Sequence, residues 1–205
     1  MKGVIWFRTD LRIDDNPALR NALDNCEEVI GIYIFSQLQW KSHNESNVKL
    51  EFLIKNLFLL EKSLSKLNIP LITIKTESFD SLPKDLSSFV VSNKVGQIFW
   101  NNEFGVNESK RDLLSCTMLE KENVKTSRFD DQVIYEPGYL KTGQGKPFSV
   151  FTPFKRRWIE NFEMDFLDIN YKHSIKKPIN IKSDLSKIEF ARTHSVNMDL
   201  WPAGE

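Results

Sequence analysis

The sequence predicts an α/β fold, a Rossmann-like three-layer sandwich with a five-stranded parallel sheet followed by an irregular linker. Short apolar runs rich in β-branched and aromatic residues alternate with longer segments of helical periodicity, which is typical of a parallel sheet covered by helices on both faces. The chain has 205 residues, of which 40% are hydrophobic. That length and composition suffice for one well-packed core.

The beginning of the chain predicts a strand, a charged loop and a helix, in that order. Residues 3–7 form an apolar run typical of a buried strand, and charges of both signs follow it. Asn16 and Pro17 then signal a helix start, because Asn accepts from free N–H groups of the first turn and Pro fits the first helical position. The helix is expected over residues 18–26.

Four more strands are expected at residues 29–34, 71–74, 97–100 and 124–129. Leucines recur at helical spacing from Leu50 to Leu67, and this stripe is expected to pack on the sheet, with Pro70 as the stop. Weaker helical patterns cover residues 81–93 and 106–120.

The alternation of strand-like and helical segments ends after the last predicted strand. Residues 137–147 contain three glycines and two prolines, and residues 172–187 are rich in lysine. Such composition is typical of a linker that crosses a domain surface. We therefore expect an α/β domain at residues 1–130 and an interdomain linker at residues 131–205.

Composition excludes several classes of function. The formal net charge is zero, which disfavours a stand-alone binder of nucleic acid. Cys26 and Cys116 form no metal-binding motif, so no metal site is expected and a cytoplasmic location fits. No apolar run is long enough for a membrane span, and no cluster of catalytic residues is evident.

The residues of the first loop resemble a known family. The pattern W-F-R-x-D-L-R-x-x-D-N-x-A-L runs from Trp6 to Leu19, and further landmarks follow at residues 39–44, 104–108, 151–155 and 201–205. In this order they are similar to the DNA photolyase and cryptochrome family, and to bacterial class I photolyases in particular. A cryptochrome-type blue-light sensor would share these motifs, whereas a free-standing nucleotide-binding α/β protein is disfavoured by residues 151–155.

The resemblance implies a light-driven DNA repair lyase. In that family FAD in a helical domain splits cyclobutane pyrimidine dimers, and an antenna in the amino-terminal domain, here 5,10-methenyltetrahydrofolate, passes excitation to it. The sequence stops where the helical domain would begin, so we expect an amino-terminal domain that is inactive alone. FAD and ultraviolet-damaged DNA would bind the missing domain, and the surface at residues 150–166 is expected to be mobile, mispacked or self-associating.

Three residues are candidates for the antenna site. Asn107 and Glu108 fall in the first turn of a predicted helix, where the sequence alone favours a capping role. The resemblance implies instead that they hold a pterin ring, whose adjacent N–H donors suit a carboxylate. His43 is by itself a solvated loop residue, and the resemblance implies that it lines the folate cleft.

The first loop has two interpretations. Arg8, Asp10 and Arg12 either form an internal salt-bridge network that fixes the loop, or they line an antenna pocket. In some relatives such a pocket holds a deazaflavin or flavin mononucleotide instead of folate. The sequence leaves both open.

Overall fold

A computed structural model describes residues 1–163, 171–186, 188 and 200–204. It contains a five-stranded parallel sheet in the order β3-β2-β1-β4-β5. The strands are β1 (Lys2–Phe7), β2 (Glu28–Phe35), β3 (Leu71–Lys75), β4 (Gln97–Asn101) and β5 (Lys125–Phe129). The predicted α/β fold class and all five strands are therefore confirmed.

Six helices are present in the described residues. They are α1 (Pro17–Asn25), α2 (Gln37–Ser42), α3 (Asn47–Ser65), α4 (Leu82–Ser92), α5 (Val106–Lys121) and α6 (Phe151–Glu160). Helix α1 begins as predicted, since the side chain of Asn16 accepts a hydrogen bond of 3.0 Å from the Leu19 N–H and Pro17 occupies the first turn. None of the helices in the described ranges is long and apolar enough to cross a membrane.

Two hydrophobic cores lie on opposite faces of the sheet. Alternate residues of β1 divide between them, with Ile5 and Phe7 on the face covered by α1 and α3, and Val4 and Trp6 on the face covered by α4 and α5. The leucine stripe of α3 lies in the first core, as predicted. This alternation follows from the two-residue period of a strand buried on both faces.

Helix α6 lies within the segment that the sequence predicts to be irregular. No residue of α6 is buried, so the helix contributes no side chain to either core. Its Trp158 instead makes an edge contact with Tyr135, at 5.7 Å between ring centroids, and stacks on Phe162 at 5.1 Å. Local aromatic packing thus stabilises a helix that core periodicity does not reveal. The end of the expected self-associating segment, residues 164–166, lies outside the described residues.

Helix α2 was also absent from the sequence-based prediction. It has only six residues, none of them buried, and is capped by Ser36, whose hydroxyl accepts from the Gln39 N–H at 3.2 Å. A helix of this length is too short to show a 3.6-residue period. It matters for function because it places Gln39, Trp40 and His43 above the carboxyl end of β2.

Candidate functional site

A cavity of about 970 Å³ opens at the carboxyl ends of β1, β2 and β4. The strand order reverses between β1 and β4, and open α/β sheets bind ligands at such switch points. The loop after β1, residues 8–16, is called the cavity loop, since Arg8, Asp10 and Arg12 contribute to the wall. The volume is at the upper end of the range for small-molecule sites.

One side of the cavity is apolar. Trp40 of α2 stacks on Phe35 at the end of β2, with ring centroids 5.4 Å apart and planes 22° from parallel. Leu50 and Leu53 of α3 continue this wall. Trp40 therefore packs against the end of β2, and it also presents an aromatic surface to the cavity. Such a wall suits a planar ring system.

A second part of the cavity lining, called the cavity floor, is a buried ion-pair network that includes Arg8, Glu103 and Arg111. Nη1 of Arg8 donates to both carboxylate oxygens of Asp112, at 2.9 and 2.8 Å. Arg111 donates to Asp112 at 2.8 and 2.9 Å and to Glu103 at 2.9 Å. The guanidinium groups of Arg8 and Arg111 also lie 5.0 and 4.9 Å from the centroid of the Trp6 ring. Two cations and two anions thus form a rigid and nearly neutral floor.

The cavity loop is fixed mainly through Asp10. One carboxylate oxygen accepts from the Arg8 N–H at 2.7 Å, and the other accepts from Nδ2 of Asn101 at 2.6 Å. Further along the loop, Arg12 pairs with Asp131 at 2.9 Å, although burial raises the pKa of Asp131. The internal network expected of Arg8, Asp10 and Arg12 is present, and the three residues also line the cavity. That this cavity holds an antenna stays a prediction.

Some polar atoms of the cavity wall are buried without a hydrogen-bond partner in the described part of the chain. They are Nε and Nη2 of Arg8 and Oε1 of Gln39. Buried polar groups are normally satisfied, so these atoms fit a ligand that offers an acceptor to Arg8 and a donor to Gln39. Burial, with Glu103 and Glu45 nearby, raises the pKa of Tyr33 on the same wall, and its phenol stays protonated at neutral pH.

The sequence-predicted residues are only partly brought together. His43, at the carboxyl end of α2, is exposed and lies on the cavity wall, and half-buried Glu108 of α5 lies on the same wall. Asn107 is exposed and is not among the residues that line the cavity.

Glu108 has its carboxylate folded back against Gly105, where a Cβ atom would collide with it. Among the described residues no hydrogen bond or ion pair involves Glu108. Its oxygens are therefore open to a ligand, and no hydrogen bond of the expected capping kind is formed.

Sequence reasoning missed Tyr33, Gln39, Glu103 and Arg111. Tyr33 lies within an apolar strand, so its neighbours do not mark it as a site residue. Gln39 belongs to the landmark at residues 39–44, but its helix is too short to recognise, so its place on the cavity wall could not be predicted. Arg111 follows Glu108 by three positions on α5. That spacing places the two residues on one face of the helix. It is the one sequence feature that could have indicated Arg111 as a site residue.

Comparison with known proteins gives a consistent result. The sequence model of the DNA photolyase family matches residues 3–176. The deoxyribodipyrimidine photo-lyase of Vibrio cholerae is 33% identical over 160 residues, covering 78% of this chain and 34% of that protein. That of Escherichia coli is 35% identical over 158 residues, covering 77% and 33%. The chain thus spans about a third of the length of these relatives.

The fold comparison agrees with the sequence comparison. The crystal structure of a class III photolyase from Agrobacterium tumefaciens superposes with a TM-score of 0.71 at 23% identity. The match covers 89% of this chain and 36% of the Agrobacterium chain. At that identity the likeness establishes the α/β fold.

Proposed function

The chain belongs to the DNA photolyase family, and on that premise we propose that it is the antenna-binding domain of a light-driven DNA repair lyase acting on cyclobutane pyrimidine dimers. The observation that carries the proposal is the cavity at the switch point of the sheet, with unpartnered polar atoms of Arg8 and Gln39 on its wall. The two bacterial relatives described above are photo-lyases, which favours this function over a cryptochrome-type light sensor.

We propose 5,10-methenyltetrahydrofolate as the antenna, with Glu108 and Asn107 as its polar anchor and His43 on the wall. The open carboxylate of Glu108 supports this, because a pterin offers adjacent N–H donors that one carboxylate accepts side by side. Gly105 contributes by leaving room for that carboxylate. When bound, such a folate absorbs near-ultraviolet light and passes excitation to the flavin.

A flavin or deazaflavin antenna is the second candidate, and two features of the cavity lining favour it. The wall formed by Phe35 and Trp40 offers a surface for a planar ring. Arg8 lines the same cavity, and its Nε and Nη2 have no hydrogen-bond partner in the described part of the chain. A ring carbonyl would accept from Arg8, while a ring N–H would donate to Gln39. In this arrangement Glu108 contributes little to affinity.

The flavin and the DNA are proposed to bind elsewhere in a longer protein. FAD and ultraviolet-damaged DNA would meet in a helical domain, with residues 131–205 as the connecting linker and a cytoplasmic location for the whole. The 205-residue chain alone is then expected to bind no FAD tightly and to repair no DNA. Stoichiometric flavin in the purified chain, or light-dependent dimer splitting by it, would contradict this.

The antenna assignment is tested by titrating the chain with 5,10-methenyltetrahydrofolate and, separately, with flavin mononucleotide. Glu108→Gln keeps the shape of the side chain, but the amide of Gln would place its N–H donors against the N–H donors of the pterin. Loss of such a charged hydrogen bond costs about 1.5–3 kcal/mol, so folate affinity is expected to fall about ten- to a hundred-fold. Glu120→Gln, at the exposed far end of the same helix, is the matched control and is expected to have no effect.

The outcomes separate the two antennas. A folate affinity that is equal in wild type and Glu108→Gln would overturn the folate anchor. Tight binding of flavin mononucleotide that weakens in Gln39→Leu but not in Glu108→Gln would establish the second candidate. Absence of binding for both pigments, to the chain and to a full-length photolyase containing it, would overturn the antenna function itself.

A further inference from the structure

Residues 171–186, called the strap, run along the domain surface and contact the edge of the sheet. The Thr73 N–H donates to the Asp184 carbonyl at 3.0 Å, and the Asp184 N–H donates to the Leu71 carbonyl at 2.9 Å. The strap thereby pairs with the exposed side of β3, an edge strand that would otherwise present free backbone groups.

The strap also holds helix α1. The hydroxyl of Tyr171 donates to Oδ1 of Asp24 at 2.7 Å. Nζ of Lys176 donates to the carbonyl oxygens of Leu23 and Cys26, which lie at the end of the helix. The last carbonyls of a helix have no partner within it, so Lys176 satisfies groups that need a donor. The strap is therefore anchored on both sides of His173, through Tyr171 and Lys176.

His173 connects this anchored strap to the cavity loop. Its Nε2 lies 2.8 Å from the carbonyl oxygen of Ile13, which is 160 residues away in sequence. Because a carbonyl only accepts, Nε2 carries the hydrogen. The ring is 16% exposed, and its Nδ1 lies 3.9 Å from Oδ1 of Asp14. The bond is thus formed away from bulk water.

The part of the loop next to this bond forms the cavity wall. The side chain of Ile13 packs against the core, while Asp14 and Asp15 line the cavity. Asp15 has φ of 45°, in the left-handed region that residues with a Cβ occupy at a free-energy cost. Such a conformation persists only where surrounding contacts hold it. The hydrogen bond from His173 to Ile13 lies where it can hold this conformation.

We propose that His173 is a positioning residue for the cavity, which holds the wall at residues 13–15 through its Nε2–H bond to Ile13. The importance of that wall for ligand binding rests on the proposed antenna function. The hydrogen bond from His173 to Ile13 does not depend on that function. The strap thus couples the chain beyond β5 to the shape of the ligand site.

The test compares His173→Gln with His173→Asn in the 205-residue chain. The amide nitrogen of Gln reaches the place of Nε2 and keeps the bond to Ile13, whereas that of Asn falls near Nδ1 and loses it. The amides to follow are those of Arg12 and Leu19, which donate to Asp10 and Asn16 on either side of the segment. We expect them to exchange roughly tenfold faster in His173→Asn and at about the wild-type rate in His173→Gln. Tyr171→Phe, which loses the bond to Asp24 but keeps the ring, is expected to leave the loop unchanged.

Pigment binding gives the second readout. Whichever of 5,10-methenyltetrahydrofolate and flavin mononucleotide binds the wild type is expected to bind His173→Asn several-fold more weakly and His173→Gln equally well. Loop exchange that is unchanged in His173→Asn, or raised equally in both variants, would overturn the proposal. A wild type that binds neither pigment would count against the antenna function, while the exchange comparison would still decide the role of His173.

Discussion

Replacing Asp112 by Asn is expected to destabilise the domain strongly. The Asp112 side chain is 2% exposed and accepts from Arg8 and from Arg111 through four contacts of 2.8–2.9 Å. The Asn amide group would face guanidinium donors, and two buried cations would share the single remaining carboxylate of Glu103. Breaking a buried ion pair in this way costs about 3–5 kcal/mol.

That loss is large against the total stability of a domain, which is typically about 5–15 kcal/mol. For a chain of this size it corresponds to a fall in melting temperature of roughly 6–20 °C. The assay is urea unfolding followed by tryptophan fluorescence, because Trp6 and Trp100 are fully buried in the folded state.

The control for this measurement is Glu160→Gln. It removes a surface pair in which Nη1 of Arg157 lies 3.8 Å from the Glu160 carboxylate, with both side chains about half exposed. Such pairs contribute about 0–1 kcal/mol. If Asp112→Asn lowers the free energy of unfolding no more than this control does, the cavity floor is not the stabilising network described above.

Three further predictions concern packing, cysteine reactivity and association. A Cβ at Gly3 would lie 2.5 Å from Sγ of Cys26, so Gly3→Ala is expected to cost about 1–3 kcal/mol in urea unfolding. The additional change Cys26→Ala should recover part of that loss, and strictly additive effects would contradict the clash. Burial raises the pKa of the Cys26 thiol, so iodoacetamide is expected to modify half-buried Cys116 first, and equal rates by mass spectrometry would contradict this. Phe151 and Ile159 of α6 are 71% and 57% exposed, so the chain is expected to self-associate and Phe151→Ser to weaken this; light scattering that shows a monomer at all concentrations would refute it.

Much of the fold is predictable from the sequence because its signals are local. The alternation of apolar runs and leucine periodicity depends on neighbours within one or two turns, and all five strands were found within two residues of their observed ends. The start of α1 is equally local, since Asn16 caps its own helix. By contrast α2 and α6 were missed because neither contributes a buried face to the core.

The candidate site, like the fold, could be predicted only in part. The cavity loop with Arg8, Asp10 and Arg12 is recognisable because its residues are contiguous and charged. The folate anchor at Asn107, Glu108 and His43 stays a prediction, although the structure brings Glu108 and His43 to one cavity wall.

The sequence by itself thus determined the layers of the domain, its family resemblance and the loop that bears the site. Only the tertiary structure decided which groups meet there. Arg8 pairs with Asp112, 104 positions later, and His173 reaches back 160 positions to Ile13. Such pairings follow from strand order and from the path of the chain across the sheet. Neither leaves a periodic trace in the sequence, since the partners share no helix face or strand register.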